Sequence, residues 1–328
     1  MGVTIEGLEI YHPNNKMDSS YLTEKFGQDV LKLLNHLGRN ERFVIKDAEE
    51  NSLTMGVEAA KKVLDKVNMT SSEIDIIVFV SDTFEYEIPT NALISRELLG
   101  AQNCTLVYDM NDSCIGMITA IDQVSTYMEM KDIYKNALII GSSHGSYIAK
   151  KDCPLINSSG DAAAAVVLKK DDCHNKGVID AIYHTDSKNY KFMTYPECGF
   201  SNIFSPEINV ENKKFNFTPH DVSYFSDRWY ELIINILHKN NVKLEEVKHF
   251  FFSQFSHADI KDTLEKLKIN NPKERYTFVA DKYGYTGNTS PFIAMYEALR
   301  DKKIGQGDTI VFCSVGAGYT MGAMIYKL

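Results

Sequence analysis

The chain is short of several features that would assign it quickly. No apolar run in its 328 residues approaches the roughly 20 residues of a membrane span. There is no excess of positive charge. Against 44 acidic residues stand 35 basic ones, a net charge of −9, which argues against broad binding to nucleic acid or to an anionic membrane. The six cysteines (Cys104, Cys114, Cys153, Cys173, Cys198 and Cys313) are scattered, with no CxxC pair and no histidine at ligand spacing. That excludes a zinc-finger pattern and a disulfide framework, so no metal is expected, and a reducing cytoplasm is the expected compartment. The opening Met1-Gly2-Val3-Thr4-Ile5-Glu6 has no basic stretch followed by an apolar one, so no secretory leader is expected. Glu6 also stands where a myristoylation motif needs Ser or Thr.

What is present reads as an ordinary globular chain, 44% hydrophobic and 24% charged, long enough for one large domain or two. Residues 3–10 alternate as a strand. Helical spacing follows around Leu22 and Phe26, around Val30 to Leu37, and from Ser52 to Leu64. Ile74 to Val80 is apolar enough for a central strand. Asn91 to Leu99 reads as a helix; Thr105 to Tyr108, Asn136 to Gly141 and Ala162 to Leu168 read as strands. Residues 170–220 differ in texture, being rich in Asn, Lys, Tyr and Pro with weak periodicity. They are expected to form an irregular surface segment that could line a site.

The second half repeats the first. Leu244 to Ser253 echoes Ser72 to Ser81, an acidic turn leading into a buried strand that stops at a serine. Asp308 to Ser314 likewise echoes Asn136 to Ser142. Glu73 and Glu246 lie 173 positions apart, Asn136 and Asp308 172. Two element pairs at nearly one offset imply duplicated α/β halves with mainly parallel sheets covered by helices. The expected organisation is an N-terminal half over 1–170, a connecting segment over 171–220 and a C-terminal half over 221–328.

Cys114 stands out within this frame. It follows a short strand and the cap-forming residues Asn111, Asp112 and Ser113, and precedes Ile118, Ile121, Val124 and Met128 at helical spacing. The unpaired N–H groups and positive dipole end of such a helix favour thiolate, the nucleophilic form. The repeat offset maps Cys114 to about 287. Asn288 therefore occupies the equivalent turn, ahead of the helix Phe292 to Leu299. If the halves pack about a pseudo-twofold axis, the two turns face one another.

Five segments, in order, resemble the β-ketoacyl-ACP synthase III family of the thiolase fold. Gly38-Arg39-Asn40-Glu41-Arg42-Phe43 resembles its G-I-x-E-R segment, and Asp112-Ser113-Cys114-Ile115-Gly116 its A-A-C-A/S-G nucleophile turn. Ser159-Gly160-Asp161 through Leu168 resembles its F-G-D-G-A-G-A-V-V-L strand. Tyr285 to Ser290 resembles its H-G-N-T-S turn, and Gly316 to Gly322 its G-G-G-F-T-W-G close. The resemblance implies an α/β fold of two duplicated halves in α-β-α-β-α layers. It also implies an acyltransferase in which a cysteine takes an acyl group from a thioester. A histidine and an asparagine then help to decarboxylate a malonyl thioester, whose carbanion attacks the acyl-cysteine. Carried over, Cys114 is the nucleophile, Asn288 a side-chain oxyanion donor, and the backbone N–H groups of Cys114 and Ala317 the acyl oxyanion hole. The family also implies a homodimer, with Ile88 placed to line the partner's acyl pocket, and an acyl-CoA or acyl carrier protein as donor with no bound cofactor.

Two departures qualify this. Where the family has V-P-H-Q-A-N, the chain reads Phe251-Phe252-Ser253-Gln254-Phe255-Ser256, followed by His257-Ala258. An ungapped match puts Ser253 on the histidine and keeps Gln254; a short insertion would bring His257 onto the catalytic position instead. Either His257 completes the site and condensation proceeds, or Ser253 replaces the base. In the second case the chain transfers acyl groups to another nucleophile or serves as a non-catalytic partner subunit. The family's carrier-binding Trp and Arg correspond to Lys32 and His36, and the only tryptophan is Trp229, which makes CoA stacking doubtful. Lys261, Lys266 and Lys268 could meet an acidic carrier protein, or form a solvated face. A related enzyme class, the hydroxymethylglutaryl-CoA synthases, adds a glutamate base, for which Glu85 and Glu87 stand in about the right region. The leading expectation is a ketoacyl synthase III-like acyltransferase of fatty-acid or specialised-metabolite synthesis.

Overall fold

The computed structural model describes residues 2–171 and 176–328, so that Cys173 lies outside the described residues. Two sheets form. The first has five strands in the order Gly2–Tyr11, Asp161–Asp171, Asn136–His144, Ile76–Val80, Leu106–Met110. Its last three strands are mutually parallel, and the first two run antiparallel to their neighbours. The second has four, in the order Val247–Phe252, Thr309–Gly316, Thr320–Lys327, Gly177–Thr185, with only the first pair parallel.

Laid side by side, four strands of each sheet have the same order and the same sense. The fifth strand of the first sheet has its counterpart in a single parallel bridge between Phe250 and Tyr276. The repeat seen in the sequence is therefore a repeat of topology. It corrects one boundary: within the segment expected to be irregular, Gly177–Thr185 is a nine-residue strand pairing with Thr320–Lys327. Its alternation is masked because its residues are half-exposed on the sheet edge rather than cleanly inside and outside. The rest of that segment, from Ser187 to Phe217, does consist of short turns and two-residue strands.

The layers follow from where each side chain is buried. Helices Gly116–Met130 and Ser290–Arg300 lie between the sheets, where Met117, Ile121, Phe292 and Met295 pack with Val78, Ile139 and Phe312. Helix Ser52–Lys66 covers the outer face of the first sheet over Ile77, Phe79 and Leu138. Helices Phe225–Lys239 and His257–Lys266 cover the second over Phe250, Phe252 and Val311. Every residue of Ile76–Val80 is buried because both faces of the strand are covered. The result is the expected α-β-α-β-α sandwich. No helix among the described residues is long and apolar enough to cross a membrane.

Candidate active site

Cys114 sits where the repeat places it, in a one-turn 3-10 segment, Ser113–Ile115, between strand Leu106–Met110 and helix Gly116–Met130. The turn is tight. Ser113 takes a left-handed φ of 49°, and a Cβ on Gly116 would lie 2.6 Å from Val80 Cγ1, so the helix can start here only with glycine. The cap residues do other work: Asn111 Oδ1 accepts from the Ser113 N–H at 3.1 Å, and Asp112 Oδ2 accepts from Thr119 Oγ1 at 2.6 Å. Contrary to the expectation from the helix terminus, the thiol is not acidified. Burial, with the charge of Asp82 behind it, pushes Cys114 up to about 11, and hydrogen bonds from Tyr285 and Ser113 offset only part of this.

The equivalent turn of the second half, Gly287–Thr289, packs against the cysteine turn, and Asn288 occupies the position of Cys114 in it. Its side chain is buried; Nδ2 donates to the Ser142 carbonyl at 3.3 Å, and Oδ1 has no partner among the described residues. The side chain that reaches the sulfur is Tyr285, three residues earlier. Its hydroxyl hydrogen-bonds Cys114 and lies 3.2 Å from Ser253 Oγ. Burial and the neighbouring thiol hold the phenol well above its usual range, so it is a donor and not a base. Tyr285 is fixed in turn by its carbonyl, which accepts from the Gly160 N–H at 2.9 Å, and by the Arg39 guanidinium 5.3 Å from its ring centre.

His257 does not join them. Ser256 caps helix His257–Lys266 through the Asp259 N–H, and the imidazole stacks on Phe278 at 3.9 Å with Nε2 2.9 Å from the Tyr276 hydroxyl. Burial and nearby Lys261 lower it to about 4, so it is a neutral packing residue away from the cysteine cavity. Gln254 is also structural. Its Nε2 donates to the Phe252 carbonyl at 2.9 Å and its Oε1 accepts from the Val279 N–H at 2.9 Å, tying strand Val247–Phe252 to the next segment. Ser253 alone of this trio faces the chemistry. Ala317 is at the site too, but its N–H donates to Ser113 Oγ at 3.1 Å instead of pointing free into the cavity.

Cys114 lines a cavity of about 820 Å3 counting its open mouth. Its walls are largely apolar: Ile156, Met193, Phe215, Phe217, Val222 and Phe255 among them. Three of these come from the irregular segment, which therefore does line the site as expected. Sequence reasoning missed three polar groups near the cysteine. Tyr285 and Arg39 lay inside quoted motifs without being assigned a role. Asp82 stands just beyond the central strand, outside every motif and three residues before Glu85. Glu85 and Glu87 are exposed and outside the cavity, because the chain turns outward after Thr83. Arg39 is buried, donating to the Leu155 carbonyl, Ser158 Oγ and the Phe255 carbonyl, and burial lowers it to about 10.

The remaining expected positions divide. Ile88 is 89% exposed, available to a partner chain. Lys266 is not available to a carrier protein, because it is bound to Asp227 at 2.6 Å and Asp262 at 2.9 Å; Lys261 and Lys268 are exposed. Lys32 pairs with Asp29 at 3.0 Å on the surface, His36 is exposed, and Trp229 is fully buried in the second-half core, far from any stacking role with a ligand. Among the described residues no group of His, Cys, Asp or Glu is arranged to hold a metal ion.

Comparison with known proteins agrees with this fold. The family model for 3-oxoacyl-[acyl-carrier-protein] synthase III matches residues 108–187, and its C-terminal counterpart matches 237–328, together just over half of the chain. The chain belongs to the 3-oxoacyl-ACP synthase III family. A β-ketoacyl-ACP synthase III of Clostridium perfringens is 28% identical over 331 residues, covering 99% of this chain and 98% of the relative. One from Coxiella burnetii is 25% identical over 327 residues, covering 99% and 98%. The crystal structure of the Aquifex aeolicus 3-oxoacyl-ACP synthase III superposes with a TM-score of 0.87 at 25% identity over 100% of both chains. That of Thermus thermophilus gives 0.88 at 21% identity over 99% of both, which shows the shared fold. The layered thiolase-type architecture and the condensing-enzyme class are those of this family.

Proposed function

We propose that this synthase III relative accepts an acyl group from a carrier thioester onto Cys114 and condenses it with a malonyl thioester, with Tyr285 standing in for the family's histidine. The observation that carries the reading is the thiol of Cys114 lining an apolar cavity, hydrogen-bonded by a neutral phenol. Thioester exchange needs a nucleophile with room for an acyl chain. Formation of the carbanion needs donors aimed at the oxygen on which charge develops, and a donor need not be an imidazole. The cavity's apolar walls suit a pantetheine arm and acyl chain. With Trp229 in the core and no aromatic replacing it at Lys32, an acyl carrier protein is the better-supported donor than CoA. No resident cofactor enters this reading. A homodimer and a cytoplasmic setting belong to the same proposal. The dimer is supported by exposed Ile88 and by strand Leu106–Met110 lying at the edge of its sheet.

A second reading, acyl transfer to a nucleophile other than malonyl, is favoured by one observation: among the described residues no histidine lines the cavity. Intact-mass measurement after incubation with acyl-ACP tests the acyl-enzyme common to both. An adduct lost in Cys114→Ala supports it, and no adduct across a range of chain lengths leaves only the non-catalytic partner subunit. Addition of malonyl-ACP then separates the two readings, since condensation releases CO2 and a 3-oxoacyl product.

A further inference from the structure

We propose that Asp82 is the proton shuttle of the acylation step, taking the Cys114 thiol proton as the sulfur attacks and returning it to the departing carrier thiol. The proposal rests on the acyl-transfer reading above and adds a residue to it.

The cavity itself poses the problem. A thiol held up at about 11 is ionised in roughly one molecule in ten thousand at pH 7. Attack on a thioester then requires a base acting during the reaction, and the cavity offers few. Arg39 is a cation with only protons to give, and Tyr285 and Tyr319 are held protonated by burial. Among the described residues no imidazole lines the cavity, and the remaining ionisable group in its wall is Asp82.

Its setting suits the task. Asp82 follows the central strand Ile76–Val80, and the residues on both sides are pinned. The Ser81 N–H donates to the Met110 carbonyl at 3.2 Å, the Thr83 N–H to Ser81 Oγ at 2.9 Å, and Thr83 Oγ1 accepts from the His144 N–H at 2.9 Å. Among the described residues the carboxylate takes part in no ion pair and in no hydrogen bond to another residue's side chain. A carboxylate half-buried in a largely apolar wall without a cation beside it is shifted towards its protonated form. The groups facing it are Cys114 from the nucleophile turn, Tyr285 from the second half and Tyr195 from the connecting segment; each feels its negative charge. Arg39 stands in the same wall but spends its hydrogen bonds on Leu155, Ser158 and Phe255. Nearby His144 lies 4.0 Å from Asp161, not on Asp82. Glu85 and Glu87 of the same loop point to solvent. Burial raises the Asp82 carboxyl to about 6, close to the operating range of a general base at neutral pH.

The step balances. The Cys114 S–H proton passes to Asp82, directly or through one water, while the S–C bond forms at the thioester carbonyl. As the tetrahedral intermediate collapses, the C–S bond to the carrier breaks and the same proton goes to its sulfur. Asp82 ends as a carboxylate, and nothing is oxidised or reduced.

Single-turnover acylation of Cys114 by acyl-ACP, followed by intact mass from pH 5 to 9, tests this in wild type, Asp82→Asn and Asp82→Glu. The wild-type rate is expected to rise through pH 6 to a plateau. Asp82→Asn should acylate about 100-fold more slowly and lose that inflection, and Asp82→Glu should recover part of both. Alkylation of Cys114 by iodoacetamide should move the opposite way. Removing the carboxylate charge lowers the thiol, so Asp82→Asn reacts faster at pH 8 than wild type. Slow acylation together with fast alkylation cannot arise from a collapsed turn. Asp82→Asn acylating at the wild-type rate with the inflection intact overturns the shuttle alone, as does a parallel fall in acylation and alkylation. Absence of any wild-type adduct overturns the acyl-transfer reading beneath it.

Discussion

The hydroxyl of Tyr285 lies 3.2 Å from Ser253 Oγ, at the strand end where the family pattern has its histidine. The serine thus does not act on the cysteine itself; it orients the phenol that does. At that strand end a small residue from one segment meets a long aromatic from another.

Tyr285→Phe keeps the ring and its contact with Arg39 while removing the donor. Condensation should fall by about 100-fold, the cost of one lost oxyanion donor, and acylation much less. Rates of acyl-enzyme formation and of CO2 release, measured separately, check the split. In Tyr285→Ala with Ser253→His, the imidazole has the room it lacks in the native site, and part of the condensation rate should return.

Ser113 occupies the Ala317 N–H and also donates towards the Cys114 sulfur at 3.6 Å. Ser113→Ala frees the N–H for the acyl carbonyl oxygen but removes one hydrogen bond from the thiolate. Acylation should change by less than about tenfold, whereas the alkylation profile of Cys114 should shift to higher pH.

His257→Phe should leave both half-reactions intact, since the imidazole packs on Phe278 outside the cavity. Its effect should appear in stability. With the folded value lowered to about 4, the unfolded chain binds more protons than the folded one between that value and the ordinary histidine range. Its contribution is therefore present above about pH 6.5 and is lost as pH falls towards 4. Chemical denaturation at pH 7 and pH 5 should show a smaller drop for the phenylalanine variant.

Gly160 carries the carbonyl of Tyr285, and a Cβ at this position would lie 1.9 Å from the Tyr283 carbonyl oxygen. Gly160→Ala must push the two halves apart, with a loss of about 2 kcal/mol or more of stability and displacement of Tyr285. Thermal unfolding and the acylation rate should fall together.

Ile88→Glu places a charge on a residue that is exposed in the single chain. Sedimentation should show a shift from dimer to monomer at micromolar concentration; an unchanged dimer would place the interface elsewhere.

The sequence alone determined the architecture and singled out Cys114. Hydrophobic runs, turn residues and a constant offset are local or repeating signals, and a duplicated topology writes them twice. They located Cys114 and its symmetry mate Asn288 before any contact was known. Tertiary structure decided which side chains surround the sulfur. Ser253 and His257 are four positions apart, yet a helix cap at Ser256 sends the histidine to Phe278 while the serine stays at the site. Asp82 follows the strand that pairs in parallel with the one before Cys114, whereas Tyr285 comes from the second half of the chain, about 170 residues beyond Cys114, and only the packing of the halves brings all three to one cavity. The thiol's acidity was decided there too: a helix terminus favours thiolate, but burial beside a carboxylate outweighs it, and burial is a property of the whole fold.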